Sequence, residues 1–388
     1  MTDAATHPSI TGFGSCPLDL WLARQCGACS AGELPTKLAA AQVTLLRSTL
    51  RQAVRGAFYA RHLRECNLDI TSVDDLERLP FTTAEDLRNW GEFLCVSQGD
   101  VQRMVTLHTS GTTGQPKRLA FTDADLARTR DFFAVGMSQL VGAGQRLAVL
   151  LPGAERPDGV ADLLRQALGA TGVEVLAPPP EVHARPSAGA GPCAEAGGEQ
   201  GKGPGSISAP GKALAQWLEQ AKPHCLVAAP AQLALLLKRF PDQGPEGLAG
   251  ILTSAEPLDN ALGQALRQAW QCEILDHYGL TETAYGCAVE CPAHQGFHVR
   301  ELDVLIEIVD ISGRKVLAPG EEGEVAITTL QRQAMPLVRY RTCDVACLLP
   351  APCACGSPLR RLGPVRGRIE RKGGQPPRIV RPTKGRGV

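Results

Sequence analysis

The sequence predicts an α/β fold in which mainly parallel sheets are covered by helices, joined to a smaller β-rich subdomain. Three observations carry this. Between residues 101 and 280, short apolar runs alternate with amphipathic stretches, the pattern of strand–helix units that build a parallel sheet. Beyond residue 295 the runs alternate apolar with polar and are separated by turns, the pattern of antiparallel strands. At 388 residues, 44% hydrophobic and 21% charged, the chain is too long for one small core.

Taken in order, residues 35–65 lack internal proline and space apolar residues as a helix does, giving one long helix or two in series. "LERLPFTTAEDL" then supplies a proline stop, with Thr82 or Thr83 as the cap of the next helix. "RLAVLLPG", "GVEVLAP", "HCLVAAP", "AGILTSAEP" and "CEILDHYG" read as buried strands. "DLLRQALGATG", "KALAQWLEQAK", "PAQLALLLKRF" and "LDNALGQALRQAW" read as the helices between them. Residues 184–211, rich in Gly, Ala, Pro and Ser, hold almost nothing to bury and read as a disordered surface insertion. The boundaries follow: a helical part at 1–100, an α/β core at 101–295, a β-rich subdomain at 296–366, and a truncated hinge with a basic tail at 367–388.

Lys plus Arg and Asp plus Glu both total 40, so net charge gives no sign of a nucleic-acid partner. No apolar run reaches membrane-spanning length, and the first residues lack the basic and apolar regions of an export signal. A cytoplasmic location is the expectation. Fourteen cysteines without an export signal are expected to be reduced and mostly buried.

"TSGTTGQPK" (109–117) is not a Walker loop, because the G-x-x-x-x-G-K-[ST] spacing is absent. Its chemistry is related: small residues let backbone N–H groups approach an oxyanion, hydroxyls add donors, and Lys117 adds charge. The stretch resembles the phosphate-binding signature of the adenylate-forming superfamily. "TSAEPL" (253–258), "DHYGLTETAYG" (276–286), "LVRYRTCDVA" (337–346) and "VRGRIER" (365–371) resemble further motifs of that superfamily, in its order. "FYARHLRECNLDITSVDDLERLPFTTAEDLR" and "VECPAHQGFHVRELDVLIEIVD" are similar to the phenylacetate–CoA ligase branch.

The resemblance implies ATP-dependent activation of a small carboxylic acid to an acyl-adenylate, then transfer to coenzyme A. By position it gives the β- and γ-phosphates to Ser110, Thr112, Thr113 and Lys117, with Gly111 and Gly114 allowing close approach. Ala255, Glu256 and Pro257 would line the adenine side, and Tyr278 with Gly279 would lie near the base. Thr281 would reach the α-phosphate and Glu282 the Mg²⁺, an ion that takes few carboxylates beside phosphate oxygens. Asp344 would accept both ribose hydroxyls, with Arg341 the neighbouring cation, Arg339 an ion-pair partner, and Arg368 in the hinge segment on the nucleotide.

"PCACGSP" carries a C-x-C turn at Cys353 and Cys355, and "ECPAHQGFH" supplies Cys291 and His298. Two Cys plus a Cys/His pair complete a tetrahedral zinc site, and relatives in that branch carry a similar set. His294 is the substitute ligand. Cys26 and Cys29 in "CGAC" lack a second pair and read as two cysteines on a helix end or loop.

The sequence departs from the family in two places. Cys343 stands where the family has glycine before the aspartate, which is costly if φ is positive there. After the hinge, relatives continue for roughly a hundred residues into a lid that carries a lysine, whereas here 16 residues follow Lys372, so a lid is expected to be absent. Three readings stay open: a CoA ligase that works without a lid or borrows a separate lid-domain, an enzyme that passes the acyl group to an acyl-carrier or other protein thiol, and a non-catalytic nucleotide-binding homologue. The ten Lys/Arg against one Glu from residue 360 onward fit a solvated terminus. With 4% aromatic residues, composition gives little support to an aryl-stacking acyl pocket.

Overall fold

A computed structural model describes residues 12–107, 117–151, 153–154, 159–182, 209–371 and 376–381. The chain forms two compact units, one of residues 1–102, 119–125 and 287–388, the other of residues 103–118 and 126–286.

The first unit begins with helices α1 (Pro17–Cys26), α2 (Leu34–Ala53) and α3 (Ala57–His62). The expected helical stretch is thus two helices in series. Helix α2 buries Leu38, Gln42, Leu46 and Leu50, one residue per turn, so a single stripe faces the core. Gln42 Nε2 donates to the Glu301 carbonyl at 2.9 Å, and the Val338 amide donates to the Tyr59 hydroxyl at 2.8 Å. The next helix is a 3-10 helix at Asp86–Phe93 with Glu85 at its N-cap. Thr83, not Thr82, bonds to its start: its amide donates to Asp86 Oδ2 at 2.8 Å while the Asp86 amide donates back to its hydroxyl at 3.4 Å. Thr82 is buried against Tyr59 instead.

Strands β1 (Arg103–Leu107) and β2 (Lys117–Phe121) and helix α4 (Asp123–Met137) carry the chain from one unit to the other. The second unit then repeats strand and helix: β3 (Arg146–Val149), α5 (Val160–Leu168), β4 (Glu174–Leu176), α6 (Ala209–Ala221), β5 (Cys225–Ala228), α7 (Pro230–Arg239), β6 (Gly250–Thr253), α8 (Asn260–Trp270) and β7 (Glu273–Tyr278). Its strands are parallel in the order β4-β3-β5-β6-β7. The local chemistry explains the boundaries. Pro230 opens α7, where a missing N–H costs nothing, and the Asp259 side chain accepts from the Ala261 and Leu262 amides to cap α8. Leu218, Leu226, Leu233, Ile251, Leu266 and Ile274 form the core between sheet and helices, each contributing about 1.5–3 kcal/mol by burial. Of the expected 184–211 insertion, residues 184–208 lie outside the described residues; 209–211 start α6.

The chain returns to the first unit as β strands. Antiparallel β8 (Ala288–Glu290) and β9 (Phe297–Val299) belong with two later strands, while β10 (Val304–Val309), β11 (Gly323–Thr329) and β12 (Tyr340–Ala346) form an antiparallel meander. A register shift between Glu324 and Ala326 marks a bulge opposite β12. Strands β13 (Leu348–Leu349) and β14 (Arg361–Leu362) complete the order β13-β14-β9-β8. Strands β15 (Gly367–Glu370) and β16 (Arg378–Val380) extend the meander beyond β12. Within 367–388, read as hinge and tail, two stretches are ordered as strands: Ile369 is buried, and residues 367–370 and 378–380 are held by ladder bonds.

Candidate functional site

Residues 108–116, with Ser110, Gly111, Thr112, Thr113 and Gly114 among them, lie outside the described residues. Lys117, where the chain re-enters the description, is the first residue of β2. Its Nζ lies 3.0 Å from Glu282 Oε1, with side-chain exposures of 14% and 8%. Glu282 is held there by a one-turn 3-10 helix at Thr281–Thr283 directly after β7. The Thr283 and Tyr285 amides both donate to the Leu280 carbonyl, and Ala284 and Tyr285 adopt positive φ, folding the chain back on itself. Gly279 permits this closure, since a Cβ there would lie 2.2 Å from the Tyr285 carbonyl oxygen. Tyr278 is buried and Thr281 half-buried, whereas Ala255, Glu256 and Pro257 are exposed, with Ala255 at φ +75°.

The carboxyl ends of β6 and β7 carry a polar cluster that sequence reading passed over. Thr253 Oγ1 donates to Asp276 Oδ1 at 2.5 Å, and the His277 amide donates to the same oxygen at 2.9 Å. Ser254 Oγ lies 3.3 Å from His277 Nδ1. These residues stood inside the two motifs already noted; the signal lost was the parallel register that sets Thr253 beside Asp276.

In the first unit, Asp344 is buried and its Oδ1 lies 3.1 Å from Arg368 Nε, across the β12–β15 ladder. Cys343 has φ +67°, so the glycine-to-cysteine departure sits in a left-handed conformation that costs about 1–2 kcal/mol for a side-chain-bearing residue. Its amide donates to Glu324 Oε1 at 3.1 Å, and its Sγ meets Arg371 Nη1 at 3.3 Å. Fully buried Glu324 also takes Arg341 and Arg371, each with Nη2 at 2.5 Å from Oε2. Arg341, expected as the cation next to Asp344, is thereby committed to Glu324. Arg339 is bound to Glu307 through Nε and Nη2 at 3.1 and 2.8 Å and stacks 4.0 Å from the Phe81 centroid. Lys384 lies outside the described residues.

Cys291, His298, Cys353 and Cys355 converge, with their donor atoms all within 4.8 Å of one another. Sγ of Cys291 and Cys353 are 3.8 Å apart, and Cys355 Sγ lies 3.4 Å from His298 Nε2. A tetrahedron built from ordinary zinc bond lengths puts two sulfurs about 3.8 Å apart and sulfur and nitrogen about 3.5 Å apart, so the donors fit that ion. Burial, and then the Arg361 cation, bring the His298 pKa down to about 4, leaving a neutral imidazole. Burial pushes the Cys353 thiol up, but the Cys355 amide and the neighbouring thiols outweigh it and hold Cys353 below the ordinary thiol value. Arg361 fixes the turns around the cluster, donating to the Gln295, Pro350 and Pro352 carbonyls at 2.7, 2.6 and 3.0 Å. The start of the chain packs on the same turn. The Ser15 amide donates to the Cys355 carbonyl at 3.1 Å, a Cβ on Gly14 would lie 2.1 Å from that oxygen, and Ser357 Oγ donates to buried Asp19 at 2.5 Å.

His294 is outside the cluster, with Nδ1 3.4 Å from Glu290. Cys26 closes α1 and Cys29 follows its Gly27 cap, and among the described residues they join no metal-binding group. The thirteen described cysteines are free thiols, six buried and seven half-buried, so burial is less complete than composition suggested. Among the described residues, no helix is long and apolar enough to cross a membrane.

Comparison with known proteins agrees with these motifs. The AMP-binding enzyme family matches residues 38–332. Phenylacetate-coenzyme A ligase of Pseudomonas putida is 30% identical over 85% of this chain and 70% of its own. That of Thermus thermophilus is 29% identical over 81% and 66%. The chain thus spans about two thirds of the length of these curated relatives. A crystal structure of 2-hydroxyisobutyryl-CoA ligase superposes with a TM-score of 0.68 at 16% identity, covering 98% of this chain and 75% of that one, a likeness of fold.

Proposed function

The chain belongs to the AMP-binding enzyme family, and from that premise we propose that it takes part in AMP-forming activation of a small carboxylic acid and its transfer to coenzyme A. The observation that carries this is the Lys117–Glu282 pair, 3.0 Å apart at the end of the phosphate-binding signature. In this reading ATP exchanges the partners: phosphate oxygens take the Lys117 ammonium, and Glu282 is the carboxylate that would hold Mg²⁺. When bound, that ion neutralises charge on the phosphates. A substrate carboxylate oxygen then attacks the α-phosphorus and pyrophosphate leaves. The coenzyme A thiol next displaces AMP from the acyl carbon and loses its proton. Catalysis rests on positioning and charge stabilisation by Lys117, Thr281 and backbone donors. Asp344 is the ribose acceptor of this reading.

A structural zinc held by Cys291, His298, Cys353 and Cys355 belongs to the same proposal, supported by the donor spacing and the neutral imidazole. So does a cytoplasmic location, where ATP and coenzyme A are available.

ATP–pyrophosphate exchange with a panel of carboxylic acids tests the reading, and exchange followed by a CoA thioester is the expected result. Exchange without thioester would favour an acyl-carrier or other protein thiol as acceptor. ATP binding without exchange, unrelieved by a separately supplied lid-domain, would leave a non-catalytic nucleotide-binding protein.

A further inference from the structure

The turn that carries Glu282 is folded against its own steric preference. Ala284 and Tyr285 follow one another at φ +53° and +70°, a left-handed pair that side chains disfavour and that persists only where the surroundings hold it. Inside the turn, the Leu280 carbonyl accepts from the Thr283 and Tyr285 amides. A second hold comes from helix α4. Thr129, fully buried, donates its hydroxyl to the Ala284 carbonyl at 3.1 Å, across 155 positions of sequence. About one turn further along α4, the Phe132 ring lies against Gly286, where a Cβ would fall 2.6 Å from Phe132 Cδ1. One helix face thus clamps residues 284–286 at both ends. Ala284 is itself fully buried, so its carbonyl requires a donor, and Thr129 supplies it. That carbonyl belongs to the peptide joining the two left-handed residues, so its direction sets their dihedrals. Glu282 stands two residues earlier, on the 3-10 turn that ends at Thr283.

We propose that Thr129 is a positioning residue for the nucleotide site: through the Ala284 carbonyl it fixes the turn that holds the Glu282 carboxylate beside Lys117. Its effect passes through the backbone. A carboxylate that shares an ion with phosphate oxygens works only when held in one place, and outer groups that orient such a ligand are worth about 10–100-fold in metal affinity. This inference rests on the acid-activating reading above and adds to it a residue that lies outside every motif noted in the sequence.

The test is calorimetric titration of the full chain with ATP, once with Mg²⁺ and once with EDTA, in wild type, Thr129→Val and Thr129→Ser. Valine keeps the shape and removes the donor, whereas serine keeps the donor. Thr129→Ala, equally without a donor, takes the place of Thr129→Val where the valine methyl is not accommodated. In the donorless variant the Kd for ATP with Mg²⁺ should rise about tenfold, the worth of one hydrogen bond. Its Kd in EDTA should stay within about twofold of wild type, and Thr129→Ser should match wild type within about twofold in both titrations. Equal weakening with Mg²⁺ and with EDTA, or a Thr129→Ser variant as weak as the donorless one, makes Thr129 a packing residue only and overturns the assignment. So does a donorless variant that binds as wild type does. Each of these outcomes leaves acid activation standing, because wild type still binds ATP. A wild type that binds no ATP under either condition overturns both readings.

Discussion

The Lys117–Glu282 pair and the Cys291–His298–Cys353–Cys355 cluster are both polar sites with little exposure, and they are balanced in opposite ways. At the first, a cation and an anion satisfy each other, so a ligand enters by exchanging partners. At the second, four electron-pair donors face one another, and nothing among them supplies positive charge. A site of the first kind suits a substrate that comes and goes, whereas one of the second kind suits an ion that stays.

The widest difference is expected on breaking the exchangeable pair. Lys117→Ala removes the ammonium from the phosphates, and pyrophosphate exchange should fall by about 10²-fold or more. A variant within threefold of wild type would show that the pair is only structural. Cys353→Ser attacks the other side. Zinc in the purified protein should drop below half an equivalent, and Tm should fall by about 5–10 °C, as expected when a metal node is lost. Unchanged zinc content and Tm would make the cluster four reduced side chains near a turn.

A finer probe lies in α1, where burial lifts the Asp19 pKa to about 6. Because the folded value exceeds the ordinary 3.8, the contribution of Asp19 is full below about pH 4 and is lost as pH rises through 6. Urea titrations between pH 4.5 and 7.5 should show wild type losing about 2–3 kcal/mol relative to Asp19→Asn. Parallel pH profiles would show that the contact with Ser357 is insensitive to charge. The smallest effect is expected at a third polar site, Glu324 with its two arginines, where one carboxylate serves two cations and the adjoining backbone at Cys343 is left-handed. Cys343→Gly relieves the left-handed strain and should raise the urea midpoint by the equivalent of about 1 kcal/mol. A lower midpoint would mean that the Sγ–Arg371 contact outweighs the strain.

Local pattern was enough to read most of the fold. Each of the five strands from β3 to β7 and the helices α7 and α8 falls inside a stretch whose hydrophobic period announced it, and α5 and α6 start at Val160 and Ala209, just ahead of theirs, because burial on one face is a local signal. The convergence of Cys291, His298, Cys353 and Cys355 was legible for a related reason, since a C-x-C turn and a Cys/His pair are unusual compositions. Pairings set by register were not legible. Whether Arg341 or Arg339 would be occupied depends on which strand brings Glu324 or Glu307 alongside, and sequence spacing does not fix that. Ser254 met His277 for the same reason, through strands 23 residues apart. The strands β15 and β16 were hidden because glycine, arginine and proline dominate that segment, and its order comes from an existing sheet edge rather than from its own apolar content.

The contact of Ser15 and Asp19 with Cys355 and Ser357 joins residues 338 positions apart in the Asp19–Ser357 hydrogen bond. It has a consequence for the order of folding during synthesis. The turn that seats α1 is synthesised some 338 residues after Asp19, so the helix waits for it, and closing so long a loop is slow. Strands β3 to β7 with their helices are complete before that point and can form their core while α1 is still unanchored. Helix α1 is therefore among the last parts of its first unit to reach its place.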